Sequence, residues 1–480
     1  MRNRSTYIAL AIYALMLAGA VLAFLWIRHQ GAALVAPAPS GPQFGAAAAA
    51  AAGQVDVIPH LLLALAVILI AARAVGAVFG KLGQPPVVGE VLAGILLGPS
   101  LLGRIWPQAM AYLLPPAVAP HLGVIAQVGV ILFMFLVGLE LDPELMRNRT
   151  RSTIAIAHSS ITVPFVLGSG LALLLYPVLS TSDVPFEAFA LFLGVSMSIT
   201  AFPVLARILT DRGLQRTQLG VMSLTCAAIN DATAWCLLAF VVSVVRARTA
   251  SAVVTVALTA AYIGLLLCLR PLLARLVRKH DARGLTRGAM TVAVVALLVS
   301  ALITAAIGVH AIFGAFVLGA IVPHDSRIAR ELRAQIESLV VVLLLPAFFA
   351  FTGLRTQVGL LQGAGAWLLC GGIVLVASLG KFGGAAVAAR LSGVGWRDAS
   401  ALGVLMNTRG LVELIVLDIG LDLHVISPLL FAMLVMMAIA TTMATTPLLS
   451  LLRHGPGWQP VAEPAAGGGG PASPHALDPA

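Results

Sequence analysis

Apolar residues run in blocks of about 20 along almost the whole chain. Each block is long enough to cross the hydrocarbon core of a bilayer as a helix, and short polar or charged stretches separate them. The pattern predicts a first run at Tyr7 to Ile27 and thirteen further spans, at 57–79, 86–103, 121–141, 152–177, 187–209, 217–245, 250–270, 287–307, 309–323, 336–353, 364–389, 398–420 and 428–451. The segment 309–323 is short for a full crossing, and Gly308 with the polar His310 predicts a tight turn between it and the preceding span.

Composition agrees with the pattern. Of 480 residues, 60% are hydrophobic and 10% charged, against roughly 25% charged in soluble proteins, and the mean hydropathy is +1.02. A soluble multidomain protein is excluded, and the fold class is all-α integral membrane. The first run is about twice a typical signal-peptide apolar region, so residues 1–30 read as an uncleaved anchor span, with a cleaved signal peptide as the alternative. Residues 31–56 form an Ala/Gly/Pro linker outside the membrane, 57–452 the membrane domain, and 453–480 a disordered cytoplasmic tail. The Gly467–Gly470 run follows no strand and is no dinucleotide fingerprint. The four cysteines, Cys226, Cys236, Cys268 and Cys370, lie in apolar stretches without CxxC spacing and read as small packing residues.

The net charge of +10 would suggest nucleic acid as a partner for a soluble protein. Its distribution says otherwise. With alternating spans and the N-terminus inside, only Arg28, Arg104, Arg246, Arg248 and Arg355 of the 29 basic residues fall outside. Lys381 and Arg409 lie within spans, and the other 22 gather on the inner side. The excess marks membrane topology, with both termini cytoplasmic if the first span is retained, and no nucleic-acid partner is expected.

A charge at the bilayer centre costs about 2.5–3.5 kcal/mol on insertion scales, so each such residue needs a partner or a function. Glu90, Asp231, Lys381, Arg409 and Glu413 stand out, whereas Glu140 and Asp142 read as a hydrated helix end. Asp231 lies mid-span in Ile229-Asn230-Asp231-Ala232, with no basic residue nearby in sequence. A carboxylate so placed binds a dehydrated monovalent cation or holds a proton, never both; the plain alternative is a protonated Asp hydrogen-bonded to a neighbouring helix. Asn230 offers a carbonyl oxygen as a ligand or as a means of orienting Asp231. Lys381 needs a carboxylate partner, or else snorkels to the surface near Arg390. Arg409 and Glu413, at i,i+4 spacing, can satisfy each other on one helix face. Glu90 is either a gate or pairing residue or merely interfacial.

Two spans carry helix-breaking signatures. Ser196-Met197-Ser198-Ile199-Thr200-Ala201-Phe202-Pro203 joins hydroxyls to a mid-span proline, and Asn407-Thr408-Arg409-Gly410 places polar groups, a charge and a glycine at similar depth. Each is the fourth span of its half if 86–245 and 309–451 are repeats, and the two run in opposite directions. Paired interrupted spans of this kind point to a transport site between inverted repeats.

At these residues the chain resembles the second family of monovalent cation:proton antiporters, which includes Kef-type potassium efflux systems and plant cation/proton exchangers. The resemblance covers nearly all of 57–452. It rests on Gly83-Gln84-Pro85-Pro86-Val87-Val88-Gly89-Glu90 with Gly94 and Gly98-Pro99; Phe133 to Glu140; Ser198 to Arg207; Asn230-Asp231 with Ala234-Trp235; His310 to Phe316; and Asn407 to Glu413. It implies an inverted-repeat antiporter fold of 13 core spans, with one extra N-terminal span here, two interrupted crossing helices at Pro203 and Gly410, and a homodimer. It also implies that Asp231 carries a monovalent cation (K⁺ or Na⁺) and H⁺ in turn, with Thr200, Ser198 and unwound backbone helping, and that Lys381 is the family's buried lysine. No cofactor is implied. Electrogenic relatives often carry two adjacent aspartates where position 230 here is Asn, which predicts one-for-one, electroneutral exchange. Kef-type proteins carry a C-terminal nucleotide-binding domain, and none is expected in this chain. The expected location is the cell (inner) membrane. The alternatives are a cation channel or uniport pathway, and a non-transporting sensor or scaffold on the same fold; an enzyme is not expected.

Overall fold

In a bilayer only a helix or a closed barrel satisfies its own backbone N–H and C=O groups, and each apolar run here folds as helix. The computed structural model describes residues 2–38, 56–140, 151–246, 251–323 and 325–452, and every regular element in them is helical. Helix α1 is Arg2–Gly31, α2 Val57–Lys81, α3 Pro86–Leu97, α4 Ala119–Glu140 and α5 Arg151–Leu179. The next span is broken into α6 (Phe186–Ser198) and α7 (Phe202–Asp211). Helices α8 (Gln218–Arg246), α9 (Ser251–His280), α10 (Arg287–Ile307) and α11 (Ala311–Ile321) follow. Then come α12 (Arg327–Leu339), α13 (Leu345–Arg355) and α14 (Gly363–Leu391), a second broken span of α15 (Trp396–Met406) and α16 (Leu411–Asp422), and α17 (Pro428–Leu452).

The span boundaries expected from hydropathy hold closely and the turn expected at Gly308 is present, with three informative differences, one being that α9 runs on to His280, past the expected end at 270. The segment expected at 86–103 ends as α3 at Leu97, where Gly98-Pro99 breaks it before two short helices, Leu102–Ile105 and Pro107–Leu113. The span expected at 336–353 begins earlier, at Arg327. Its first part is amphipathic, with Ser326 capping its N-terminus, and it joins α13 through the π-helical turn Val340–Leu344. The short α11 is a helix of its own: Gly308, in the left-handed conformation at φ 99°, terminates α10 and turns the chain back into α11. Of the four cysteines only Cys226 and Cys370 are buried, while Cys236 and Cys268 lie on exposed faces of their spans.

Helix contacts sort the spans into two bundles. A straight bundle holds α2, α3, α4, α10, α11 and α12–α13, and a crossing bundle holds α5, α6–α7, α8, α14, α15–α16 and α17. Helix α9 follows the first and connects to the second through α8. Each bundle takes three spans from either half of the chain, so the repeat is longer than the motifs suggested: six spans from α2 to α8 and six from α10 to α17. Matching contacts support this. Helix α3 crosses α13 where a Cβ on Gly94 would sit 2.6 Å from Ala350 Cα, and α11 crosses α4 where one on Gly319 would sit 2.3 Å from the Phe135 carbonyl oxygen. Backbones this close leave no room for a side chain, which is how helices pack tightly where lipid gives no hydrophobic drive.

Helix α1 lies on the crossing bundle, against α5 and α6, through Arg28–Glu187 (2.9 Å), Tyr13 edge-on to His158 and Phe24 against Phe165. The start of the expected linker is packed: Ala36 is buried and the Pro37 carbonyl accepts from the Ser182 N–H (2.9 Å). Residues 39–55, Asp142 and the tail from 453 lie outside the described residues.

Gly319→Ala is expected to destabilise the protein by about 1–3 kcal/mol, the usual cost of overpacking. Gly264→Ala on α9, where a Cβ would meet nothing within 4 Å, is expected to be neutral or slightly stabilising. Melting curves of the two detergent-purified variants beside the parent decide this.

Candidate functional site

The breaks at 199–201 and 407–410 meet inside the crossing bundle. The Ala201 N–H donates to the Thr408 carbonyl (3.0 Å), and Thr200 Oγ1 donates to the Met406 carbonyl (3.0 Å). Gly410 allows this approach, since a Cβ there would lie 2.6 Å from Val204 Cγ2. Pro203 is not a mid-helix kink: it stands in the first turn of α7, where its missing N–H would have had no partner within the helix anyway.

A helix that ends inside the membrane leaves its last four carbonyls without intrahelical partners. At the end of α6 two cations supply them. Arg409 donates through Nη1 to the Ser196 carbonyl and through Nη2 to that of Met197, both at 2.8 Å. Lys381 Nζ donates to the Ser198 carbonyl (2.5 Å) and to that of Ser160 on α5 (2.9 Å). Positive charge at a helix C-terminus also complements the helix dipole. Arg409 Nη1 further pairs with Glu413 Oε2 at 2.8 Å, and Arg409, Lys381 and Glu413 are all 0% exposed. The end of α15 is closed by neutral groups instead: the Asn407 and Thr408 N–H groups, the Thr200 hydroxyl, and Thr442, which exchanges two hydrogen bonds with the Arg409 backbone.

Asp231 of α8 lies beside this crossing, 6% exposed. The Phe202 N–H, at the N-terminus of α7, faces its carboxylate, and Lys381 is within electrostatic reach. Oδ1 of Asp231 has no hydrogen-bond partner. The other expected ligands are committed elsewhere. Ser198 Oγ donates to the carbonyls of Gly194 (2.7 Å) and Ile161 (3.1 Å), and the Thr200 hydroxyl is held by Met406. In the amide orientation that pairs both ends, Asn230 donates to the Ala157 (2.8 Å) and Cys226 (3.3 Å) carbonyls and accepts from Ser160 Oγ (2.8 Å). The break therefore leaves one buried carboxylate oxygen without a partner beside a helix N-terminus, whose positive end favours the ionised carboxylate while the free oxygen can accept a proton or ligate a small cation.

The family model for the sodium/hydrogen exchanger transmembrane domain matches residues 63–451. The chain belongs to the sodium/hydrogen exchanger family. It is 43% identical to the Na⁺/H⁺ antiporter NhaS4 of Synechocystis over 81% of this chain and 96% of that protein. It is 38% identical to cation/H⁺ antiporter 19 of Arabidopsis thaliana (82% of this chain, 50% of the other) and 34% to K⁺/H⁺ antiporter 1 of Saccharomyces cerevisiae (78% and 44%). The chain thus spans about half the length of the plant and yeast relatives. The fold is similar to that of the sodium proton antiporter MjNhaP1 of Methanocaldococcus jannaschii, with a TM-score of 0.57 over 82% of this chain and 99% of that one at 14% identity. The family that the motifs resemble is the family found.

In this exchanger chain the structure brings together Asp231, Asn230, Thr200, Ser198, Lys381, Arg409, Glu413, Pro203 and Gly410. It does not bring in Glu90, which is half-buried on α3, beside Gly76 and facing Arg73 of α2. Lys381 does not snorkel, and carbonyls rather than a carboxylate take its protons. Arg409 pairs with Glu413 as its spacing suggested, but from within the break rather than along one helix face. The sequence reading passed over Asp418, which lies on α16 in the second broken span and pairs with Arg355, and over the paired hydroxyl of Thr352. The available signal was a pair of aspartates, Asp418 and Asp422, at i,i+4 spacing.

Arg409→Ala would strand the Ser196 and Met197 carbonyls and an uncompensated Glu413, and breaking such a buried pair costs about 3–5 kcal/mol. The expected result is a large loss of folded protein, read by thermal melting. Glu413→Gln, which keeps an acceptor for Arg409, is expected to cost less.

Proposed function

We propose that the chain exchanges a monovalent cation, K⁺ or Na⁺, for H⁺ by alternating access, with Asp231 as the one site that both ions occupy in turn. The observation that carries this reading is the buried, unpartnered Oδ1 of Asp231 at the crossing of two broken helices. Family membership and relatives named as Na⁺/H⁺, K⁺/H⁺ and cation/H⁺ antiporters support it. The deprotonated carboxylate binds the cation, whose lost hydration is replaced in part by the carboxylate and nearby oxygens. Protonation on the other side removes the negative charge and releases it. Lys381 and Arg409 hold the break open around the site and are not themselves exchanged.

With Asn at position 230 and Lys381 bonded to carbonyls, one carboxylate exchanges one cation for one proton and no net charge moves. Each tenfold proton gradient then supplies about 1.4 kcal/mol, enough to sustain a tenfold opposing cation gradient. We place the protein in the cell membrane as a homodimer, with the arginine-rich loops in the cytoplasm and, where the first span is retained, both termini there too.

Proteoliposomes with an internal pH dye test this. Addition of K⁺ or Na⁺ is expected to drive proton flux in the parent, and Asp231→Asn is expected to fall to the level of protein-free vesicles. An undiminished flux in Asp231→Asn would overturn the assignment. A rate that follows an imposed voltage would overturn one-for-one exchange.

A further inference from the structure

The two bundles meet differently at the two faces of the membrane. On the arginine-poor face Arg355, the last residue of α13 in the straight bundle, bridges two carboxylates of α16 in the crossing bundle. Nη1 lies 3.1 Å from Asp418 Oδ1 and Nη2 lies 2.6 Å from Asp422 Oδ1. One turn before Arg355, Thr352 Oγ1 donates to Asp418 Oδ2 at 2.5 Å. The side chains of Arg355 and Asp418 are each 10% exposed, and that of Asp422 is 41% exposed. The Arg355 guanidinium lies over the Phe351 ring, 5.3 Å from its centroid, so its orientation is fixed by packing as well as by charge. The bridge residues Arg355, Asp418 and Asp422 line one wall of a cavity between the bundles, whose other walls include Gln127 and Val130 of α4, Phe348 of α13, and Ile415 and Ile419 of α16.

Towards the other face, among the described residues, no such bridge is found in the cleft beside the second break. There α3 offers Val87, Val88 and Val91 to Arg409, Gly410, Leu414, Ile439 and Thr442. Glu140, at the basic-face end of α4 in the straight bundle, is within electrostatic reach of Asp231. Among the described residues, the ion bridge between the bundles is therefore on one face, while at the other α3 meets the second break through valines.

We propose that Arg355 with Asp418, Asp422 and Thr352 forms the latch that closes the ion path on the arginine-poor face. Opening on that face requires the guanidinium to leave both carboxylates. This rests on the antiport reading in one respect: alternating access needs the two bundles to move apart there. The geometry suits a latch. Asp418 and Asp422 stand one turn apart on a single helix face, so one planar guanidinium holds both, and a small separation of α13 from α16 breaks both contacts together.

Accessibility rather than transport is the measurement, so that failure of the latch and failure of antiport are distinguishable. With Cys226, Cys236, Cys268 and Cys370 replaced by alanine, Ile415→Cys places a thiol in the cavity beside the bridge. A membrane-impermeant maleimide is applied from the arginine-poor face. Labelling is expected to be slow in this parent. Adding Arg355→Ala is expected to speed it at least about tenfold, the population shift given by about 1.4 kcal/mol of lost pairing. Asp422→Asn, on the exposed carboxylate, leaves the Asp418 pair intact and is expected to give a smaller increase. If Arg355→Ala does not accumulate as folded protein, Asp422→Asn decides alone. Labelling at the parental rate in a folded Arg355→Ala protein, or in Asp422→Asn when it decides alone, overturns the latch. Proton flux in the same preparations reports separately on antiport.

Discussion

The backbone carbonyls at the end of α6 govern the rest of this structure. A helix that stops in hydrocarbon leaves polar groups that each cost several kcal/mol if unpaired, and no water is present to take them. Three of the last four carbonyls of α6, those of Ser196, Met197 and Ser198, accept from Arg409 or Lys381. Burying a cation at such depth costs about 2.5–3.5 kcal/mol on insertion scales, and a hydrogen bond to a charged group contributes about 1.5–3 kcal/mol. Each cation makes at least two such bonds here, so the break and the charges stabilise one another, whereas either alone would be unfavourable. Glu413 then balances Arg409, and Gly410 gives the two breaks room to touch.

This division of labour leaves Asp231 unencumbered. Had Lys381 formed a direct salt bridge with it, a cation would have had to compete with an ammonium for every binding event. Instead the ammonium is anchored on the carbonyls of Ser160 and Ser198 and acts on Asp231 only through the field. The Phe202 N–H and the positive end of α7 replace part of the hydration that the carboxylate gives up, and Oδ1 is left without a hydrogen-bond partner. Asn230, next in the chain, is turned into the bundle and tied to α5, which holds α8 in register.

Much of this was legible in the sequence because a bilayer makes hydropathy almost a map of the backbone. The spans, the turn at Gly308, the two breaks, and Asp231, Lys381 and Arg409 follow from local composition and depth. What hydropathy misses is pairing between distant spans. Nothing near Lys381 says that its partners are carbonyls rather than a carboxylate, and Arg355 looks like an ordinary loop arginine until α13 is laid against α16. Asp418 sits close enough to a span end to pass as interfacial. Glu90 left its two readings, gate or pairing residue and interfacial, open in the sequence, and the fold adds that the helix that carries it belongs to the other bundle, facing Arg73.

The two sets of arginine contacts differ in what they can allow. The Arg409 network is sealed from solvent at 0% exposure, so breaking it leaves charges with no substitute partner, and it must persist through any cycle. The Arg355 bridge lies at the rim, with Arg355 and Asp418 each 10% exposed but Asp422 41% exposed, so water can replace the Asp422 contact as it opens. Exposed ion pairs are worth about 0–1 kcal/mol and buried pairs cost about 3–5 kcal/mol to break, so the Arg355 bridge, with one carboxylate exposed and the other largely buried, lies between the two. A transporter needs both kinds. Its site geometry must hold while its bundles separate, and here the sealed Arg409 charges lie within one bundle whereas the Arg355 bridge spans the boundary between two.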